Sequence, residues 1–239
     1  MRQGNSVTPQ IHPTVRRLAA GAGIAAGVAA SAIVAAPTSA AQPCPDVEVV
    51  FARGTSEPPG VGGIGTSFVD ALRSRVGGRS LNVYAVNYPA SNDFGSPDFP
   101  RTVVDGIRDA SSHIESMANS CPQTRQVLGG FSQGAAVAGY VTSAAVPQGV
   151  PAASVPQPLS PEVANHVAAV ALLGTPSPQF LSNLKAPPIA IGPLYQGKTI
   201  QLCAPGDGIC GTGNDPAAHA SYGANGMTAQ AADFVVSHL

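Results

Sequence analysis

Ser132 stands in Gly130-Phe131-Ser132-Gln133-Gly134, a Gly-x-Ser-x-Gly pattern that occurs once in the chain. The apolar stretch Val127-Leu128-Gly129 precedes it, and the small, helix-compatible residues Ala135-Ala136-Val137-Ala138-Gly139-Tyr140 follow it. A serine between a strand and a helix, on a turn too tight for a Cβ at the flanking positions, presents its hydroxyl above the sheet. The chemistry offered is nucleophilic. A serine hydroxyl is a poor nucleophile until an imidazole takes its proton and a carboxylate fixes the tautomer and steadies the cation. One histidine and one acid must therefore be found for Ser132.

This elbow is the signature of α/β-hydrolases, in which the partners follow in the chain order serine, acid, histidine. Downstream of Ser132 the acids are Glu162, Asp207, Asp215 and Asp233, and the histidines are His166, His219 and His238. Asp233 and His238 fall in a terminal helical pattern, and Glu162 with His166 border a proline-rich stretch. Neither pair reads as a loop at the C-terminal edge of a strand, where such folds build their sites. Asp207 directly follows the last strand-like run, between Cys203 and Cys210. His219 comes twelve residues on, flanked by Ala217, Ala218 and Ala220, which leave its ring unobstructed. Asp215, in Gly213-Asn214-Asp215-Pro216, has turn composition. The triad expected is Ser132, Asp207 and His219. An oxyanion also needs donors: the N–H of Gln133, next after the nucleophile, and Thr55, from the Arg53-Gly54-Thr55 loop after an early strand.

The elements that must hold these residues are legible as alternating patterns. Val47 to Ala52 reads as a strand, Ile64 to Val76 as a helix with Phe68, Val69, Leu72 and Val76 at helical spacing, and Leu81 to Val86 as a second strand. A loop from Asn87 to Pro100 leads to a helix from Val103 to Ser120. Val167 to Leu173 is an apolar run of buried-strand length, Thr199 to Cys203 is the last strand, and Thr228 to Leu239 closes the chain as a helix. Strands alternating with helices, several of them apolar throughout, imply a mostly parallel sheet covered on both faces. Pro147 to Pro161 carries many prolines and no periodicity, so residues 147–161 are expected as a loop insert.

The 239 residues are 44% hydrophobic and only 10% charged. Arg16-Arg17 precede a soft apolar run from Leu18 to Ala36, which ends in small residues through Ala41, an A-x-A-like processing site. The run is long enough for a membrane anchor, but its Ala/Gly richness makes it feebly hydrophobic. The expected organisation is a signal peptide over residues 1–40 and one domain over residues 41–239, exported to the extracellular space or cell wall. The arginine pair satisfies part of a twin-arginine signal, although its neighbours do not extend the match. Removal of residues 1–40 takes away Arg2, Arg16 and Arg17, leaving nine basic and thirteen acidic residues and a formal charge of −4. No basic stripe survives, which excludes nucleic acid as an expected partner.

Cys44, Cys121, Cys203 and Cys210 all fall in the mature part. An even count in an exported chain implies two disulfides, and four cysteines permit three pairings. Cys203 and Cys210 are near enough in sequence to close a short loop, which leaves Cys44 with Cys121. A four-cysteine zinc site lacks the C-x-x-C pair it would need, so no metal is expected.

Taken together, these motifs resemble the cutinase family, most closely its mycobacterial cutinase-like members. The resemblance rests on Phe51-Ala52-Arg53-Gly54-Thr55-Ser56-Glu57, Gly129-Gly130-Phe131-Ser132-Gln133-Gly134, Cys203-x-x-x-Asp207-x-x-Cys210 and Ala218-His219-x-x-Tyr222-Gly223, in the family's order across the mature chain. It implies a lidless α/β-hydrolase with a five-stranded sheet and a cofactor-free serine esterase acting on carboxylic esters. It also implies the triad Ser132, Asp207 and His219, oxyanion donors Thr55 and Gln133, and bridges Cys44–Cys121 and Cys203–Cys210. Fungal cutinases commonly have serine where Thr55 stands, and they carry large apolar residues between the acid and the histidine. Here that loop, Gly208 to Ala218, has only Ile209.

The function expected is a secreted, monomeric serine carboxylesterase that acts on short- to medium-chain esters, with contact to a cell wall or lipid surface. Lipase, phospholipase or thioesterase activity on longer acyl chains is the alternative within the class. A secreted surface or antigen-like protein that keeps the fold without turnover is the alternative outside it. Phe94, Phe99, Phe180, Leu181 and Leu184 are set aside as either an apolar rim or core.

Overall fold

The computed structural model describes residues 43–239, and the expected signal segment over residues 1–40 lies outside them. In chain order the elements are β1 (Val47–Ala52), α1 (Gly62–Arg73), β2 (Leu81–Ala85), α2 (Phe99–Ser120), β3 (Arg125–Phe131), α3 (Gln133–Val141), α4 (Pro161–His166), β4 (Val167–Leu173), α5 (Pro178–Asn183), α6 (Pro193–Gln196), β5 (Thr199–Leu202), α7 (Pro216–His219) and α8 (Met227–Val236). The strands form one five-stranded sheet in the order β2-β1-β3-β4-β5. Every neighbouring pair is parallel.

The central strands β1, β3 and β4 are apolar nearly throughout because both of their faces are covered. Alternate residues point to opposite faces. Val50, Ala52, Leu128 and Leu172 pack against Ile114 of α2 and Val137 and Val141 of α3. Val49, Phe51, Val127 and Leu173 pack against Phe68 and Leu72 of α1 and Val235 of α8. The edge strands β2 and β5 are only half-buried. Glu48 is the exception to the apolar rule on β1. Its buried carboxylate accepts hydrogen bonds from Asn82 Nδ2 at 3.1 Å and meets His113 Nε2 at 3.0 Å, so the charge is not left unpartnered.

The expected strands and long helices are present with shifted ends. The first helix starts at Gly62 and ends at Arg73, and the second starts at Phe99, not Val103, with proline in its first turn. Proline fits there because a helix's first N–H groups have no partner within the helix. Four short helices, α4 to α7, are additional to the elements expected from the sequence. Each is six residues or fewer, too short to show a period, and each begins with proline. Three have a polar cap one residue earlier: Ser160, Ser177 and Asp215 each accept a backbone N–H of the first turn. Asp215, read as a turn residue, thus starts the helix that ends in His219.

The 147–161 stretch is loop apart from a turn of 3-10 helix at Ala152–Ser154, until Pro161 opens α4. The disulfides are Cys44–Cys121, which ties the segment before β1 to the end of α2, and Cys203–Cys210, which closes the loop after β5. Among the described residues no helix is long and apolar enough to cross a membrane.

Candidate active site

Ser132 lies between β3 and α3 with φ 55°, ψ −117°, in the left-handed half of backbone space that non-glycine residues rarely occupy. Its N–H is held by the carbonyl of Leu173 on β4 at 2.9 Å. The flanking glycines are required by close approach. A Cβ on Gly130 would fall on the carbonyl of Gly134, and one on Gly134 would fall on the carbonyl of Ala52. The helix therefore comes down directly on the sheet, and the strained serine is the hinge of that contact.

The loop after β5 and helix α7 bring the partners to it. His219 Nε2 lies 2.8 Å from Ser132 Oγ, and His219 Nδ1 lies 2.8 Å from Asp207 Oδ2. With Nδ1–H donating to the carboxylate, Nε2 is the free base facing the hydroxyl. The ring of Phe131 stacks on His219 with centroids 4.9 Å apart, which fixes the imidazole's face. Asp207 is 1% exposed. Burial pushes its carboxyl upward, but hydrogen bonds from His219, Tyr222 and the Ile209 N–H outweigh it and hold the group below its ordinary 3.8. Tyr222 donates its O–H to Asp207 Oδ2 at 2.7 Å and accepts the Ala204 N–H at 3.0 Å. The Cys203–Cys210 bridge, between cysteines seven positions apart, closes the loop that contains Asp207. Both sulfurs beside the carboxylate are spent in that bridge, so Cys203, Asp207 and Cys210 do not form a thiolate metal site.

Opposite the histidine, Thr55 and Gln133 line the same cleft as Ser132. Neither backbone N–H has a protein acceptor among the described residues, so both stay available to an incoming oxygen. The Thr55 loop is braced by Glu57, whose two carboxylate oxygens accept the N–H groups of Gly54 and Gly63 at 2.6 Å each. Arg53, 5% exposed, donates to the carbonyls of Glu57 at 2.8 Å and Tyr88 at 2.7 Å. The side chain of Gln133 donates to the Ser91 carbonyl at 2.9 Å, tying α3 to the loop after β2.

The cleft measures about 1050 Å³. Phe94, Phe99, Phe180, Leu181 and Leu184, which the sequence left between rim and core, all line it together with Ile209. Phe94 is 43% exposed and Leu181 only 5%, so the first is rim and the second floor.

The structure brings Ser132, His219 and Asp207 into contact and sets Thr55 and Gln133 on the same cleft. Glu57, Arg53 and Tyr222 were quoted in motifs without a role. For Tyr222 the available signal was a large polar aromatic three residues after His219, whose hydroxyl needs a partner once buried. Glu57 gave none, because its partners are backbone amides.

A parallel five-stranded sheet with a serine on a strained elbow, an acid after the last strand and a histidine beyond it defines an α/β-hydrolase. Residues 43–239 match the family model described as Cutinase. The chain is 72% identical over 166 residues to "Probable carboxylesterase Culp7" of Mycobacterium tuberculosis, covering 70% of this chain and 89% of that protein. It is 48% identical over 216 residues to "Carboxylesterase Culp1" of the same species, covering 87% and 90%. Trichoderma reesei cutinase, solved in complex with a phosphonate inhibitor, superposes with a TM-score of 0.61 at 34% identity, over 82% of this chain and 77% of that one. The chain belongs to the cutinase family, and with it to the hydrolases of carboxylic esters.

Proposed function

We propose that the protein is an exported, monomeric serine carboxylesterase that works through an acyl-enzyme on Ser132. The observation that carries this reading is His219, with one ring nitrogen 2.8 Å from Ser132 Oγ and the other 2.8 Å from Asp207 Oδ2. His219 Nε2 removes the hydroxyl proton as Oγ attacks the ester carbonyl. The resulting imidazolium is steadied by the Asp207 carboxylate, which Tyr222 and Ile209 keep ionised. The carbonyl oxygen becomes an oxyanion and takes hydrogen bonds from the N–H groups of Thr55 and Gln133, with the Thr55 hydroxyl as a third donor.

Collapse of the tetrahedral centre breaks the ester C–O bond. The alcohol leaves with the proton from His219, and the acyl group stays on Ser132 Oγ. His219 then takes a proton from water as that water attacks the acyl carbonyl. A second collapse releases the carboxylic acid and returns the proton to Ser132. All of these steps use protein groups and water, with no cofactor.

Short- and medium-chain esters are the first substrates proposed, since the Gly208 to Ala218 side of the site supplies only Ile209 against a tail. Export is supported by the N-terminal run ending near Ala41 and by two disulfides in the remainder. Contact with a cell wall or lipid surface is supported by Phe94, exposed at the rim beside Phe99.

The test is turnover of p-nitrophenyl butyrate by the wild type, Ser132→Ala and Asp207→Asn. Both variants should lose several orders of magnitude in kcat yet keep a residual rate above water from the oxyanion donors and binding. Full activity in Ser132→Ala would overturn the reading.

A further inference from the structure

The cleft is larger than the reaction at Ser132 requires. Its 1050 Å³ lies at the upper limit of pockets that hold a drug-sized ligand, about 300–1,000 Å³. A butyryl group on Ser132 would leave most of it empty. Besides Ser132 the cleft is lined by Phe99, Val103 and Ile107 of α2 and by Val146, Val150 and Val155 of the proline-rich stretch. Nothing in the triad or the oxyanion loop uses that stretch. It nonetheless lines the same cleft as the nucleophile, with Pro147, Pro151 and Pro156 beside the valines. Proline fixes its own φ and has no N–H. This wall is therefore stiff without regular structure and mostly apolar, with Ser154 and Gln157 as its polar side chains, which suits a hydrocarbon tail.

We propose that the segment from Val146 to Val155 is the outer wall of an acyl channel, and that the ester taken there carries a long saturated tail. The tail is roughly ten carbons or more, since each methylene removed from water strengthens binding about threefold to fourfold. The carbonyl sits between Ser132 and the Thr55 and Gln133 amides, and the tail passes α2 to the valines. The channel extends the chain-length range beyond the short and medium esters above, and its turnover consequence rests on the esterase reading. The 147–161 insert thereby sets the long end of the chain-length range, to which the loop between Asp207 and His219 adds only Ile209.

Binding and turnover test this separately. Ser132→Ala is titrated with dansyl-labelled undecanoic acid, and the bound probe is displaced with dodecanoic or butyric acid. The chain contains no tryptophan, so the dansyl signal is read without energy transfer from indole. Saturable binding that dodecanoic acid displaces and butyric acid does not is expected. It should weaken about tenfold or more when Val150→Asp and Val155→Asp are added, since two half-buried apolar side chains of the lining then become charges. In the Ser132 enzyme, kcat/KM should rise from p-nitrophenyl butyrate to dodecanoate, and the dodecanoate-to-butyrate ratio should fall in the Val150→Asp, Val155→Asp protein. Absence of saturable binding, binding indifferent to the two substitutions, or an unchanged ratio would each overturn the channel. Intact, substitution-sensitive binding with no turnover of any ester supports the channel and sinks the esterase reading alone.

Discussion

Tyr222 O–H donates to Asp207 Oδ2 at 2.7 Å, the same oxygen that His219 Nδ1 meets at 2.8 Å. One carboxylate oxygen thus serves both the imidazole that faces Ser132 and a fully buried phenol. Burial pushes the Tyr222 hydroxyl far above its ordinary titration range, so it remains a donor under all working conditions. Tyr222→Phe removes that donor and leaves the Ala204 N–H unpaired. A hydrogen bond to a charged group contributes about 1.5–3 kcal/mol. With part of that loss expressed at the transition state, kcat should fall about tenfold with little change in KM, measured on p-nitrophenyl butyrate. An unchanged kcat would show that Tyr222 only packs.

The carboxyl of Asp207 is held below its ordinary 3.8 in the folded protein. A depressed folded-state value means that the carboxylate contributes stability at pH values above about 3.9, the unfolded reference. That contribution disappears as pH falls through the folded value. The wild type should therefore melt higher than Asp207→Asn near neutrality, and the gap should narrow below about pH 4. A gap that stays constant from pH 7 to pH 3 would contradict this, as measured by thermal unfolding across that range.

Glu57 holds the oxyanion loop through Gly54 and the start of α1 through Gly63. In Glu57→Gln one of the two acceptors becomes an NH2 that faces a backbone N–H. The Thr55 amide should lose its alignment, with kcat reduced about tenfold or more and inactivation by a phosphonate slowed in parallel. Melting at wild-type temperature with unchanged kcat would remove Glu57 from the positioning of the site.

The Cys203–Cys210 bridge joins cysteines seven positions apart, which on the chain-entropy account contributes only about 2.4 kcal/mol. Its larger role is to fix Asp207. The Cys203→Ser, Cys210→Ser protein should keep its fold at room temperature and lose kcat well before global unfolding. Loss of activity and of near-ultraviolet circular dichroism only together would assign the bridge to stability alone.

The sheet and the grouping of Ser132, Asp207 and His219 were legible in the sequence because their signals are local. Val167 to Leu173 is too apolar for anything but a strand buried on both faces, and Gly130 and Gly134 mark where α3 meets the sheet. Asp207 and His219 could be chosen because acids and histidines are few after Ser132. The short helices escaped because a single turn has no period, although Asp215-Pro216 is the cap and first turn of the helix that delivers His219. Glu57 and Tyr222 escaped because their partners, Gly54, Gly63 and Asp207, become partners only through folding. For the second wall of the cleft the sequence named the residues but left rim and core undecided, for the same reason. Phe180 is far in the chain from Phe94 and Phe99, and only the packed structure sets all three on one cleft with Ser132.

The central claim is that Ser132 is the nucleophile and His219 its base. Its most direct measurement is covalent labelling by an alkyl p-nitrophenyl phosphonate, with stoichiometry and site read by peptide mass spectrometry. One equivalent on Ser132, with loss of esterase activity in proportion and labelling slowed by orders of magnitude in His219→Ala, is the result predicted. A label on any other residue, or labelling of Ser132 at an unchanged rate in His219→Ala, would contradict it.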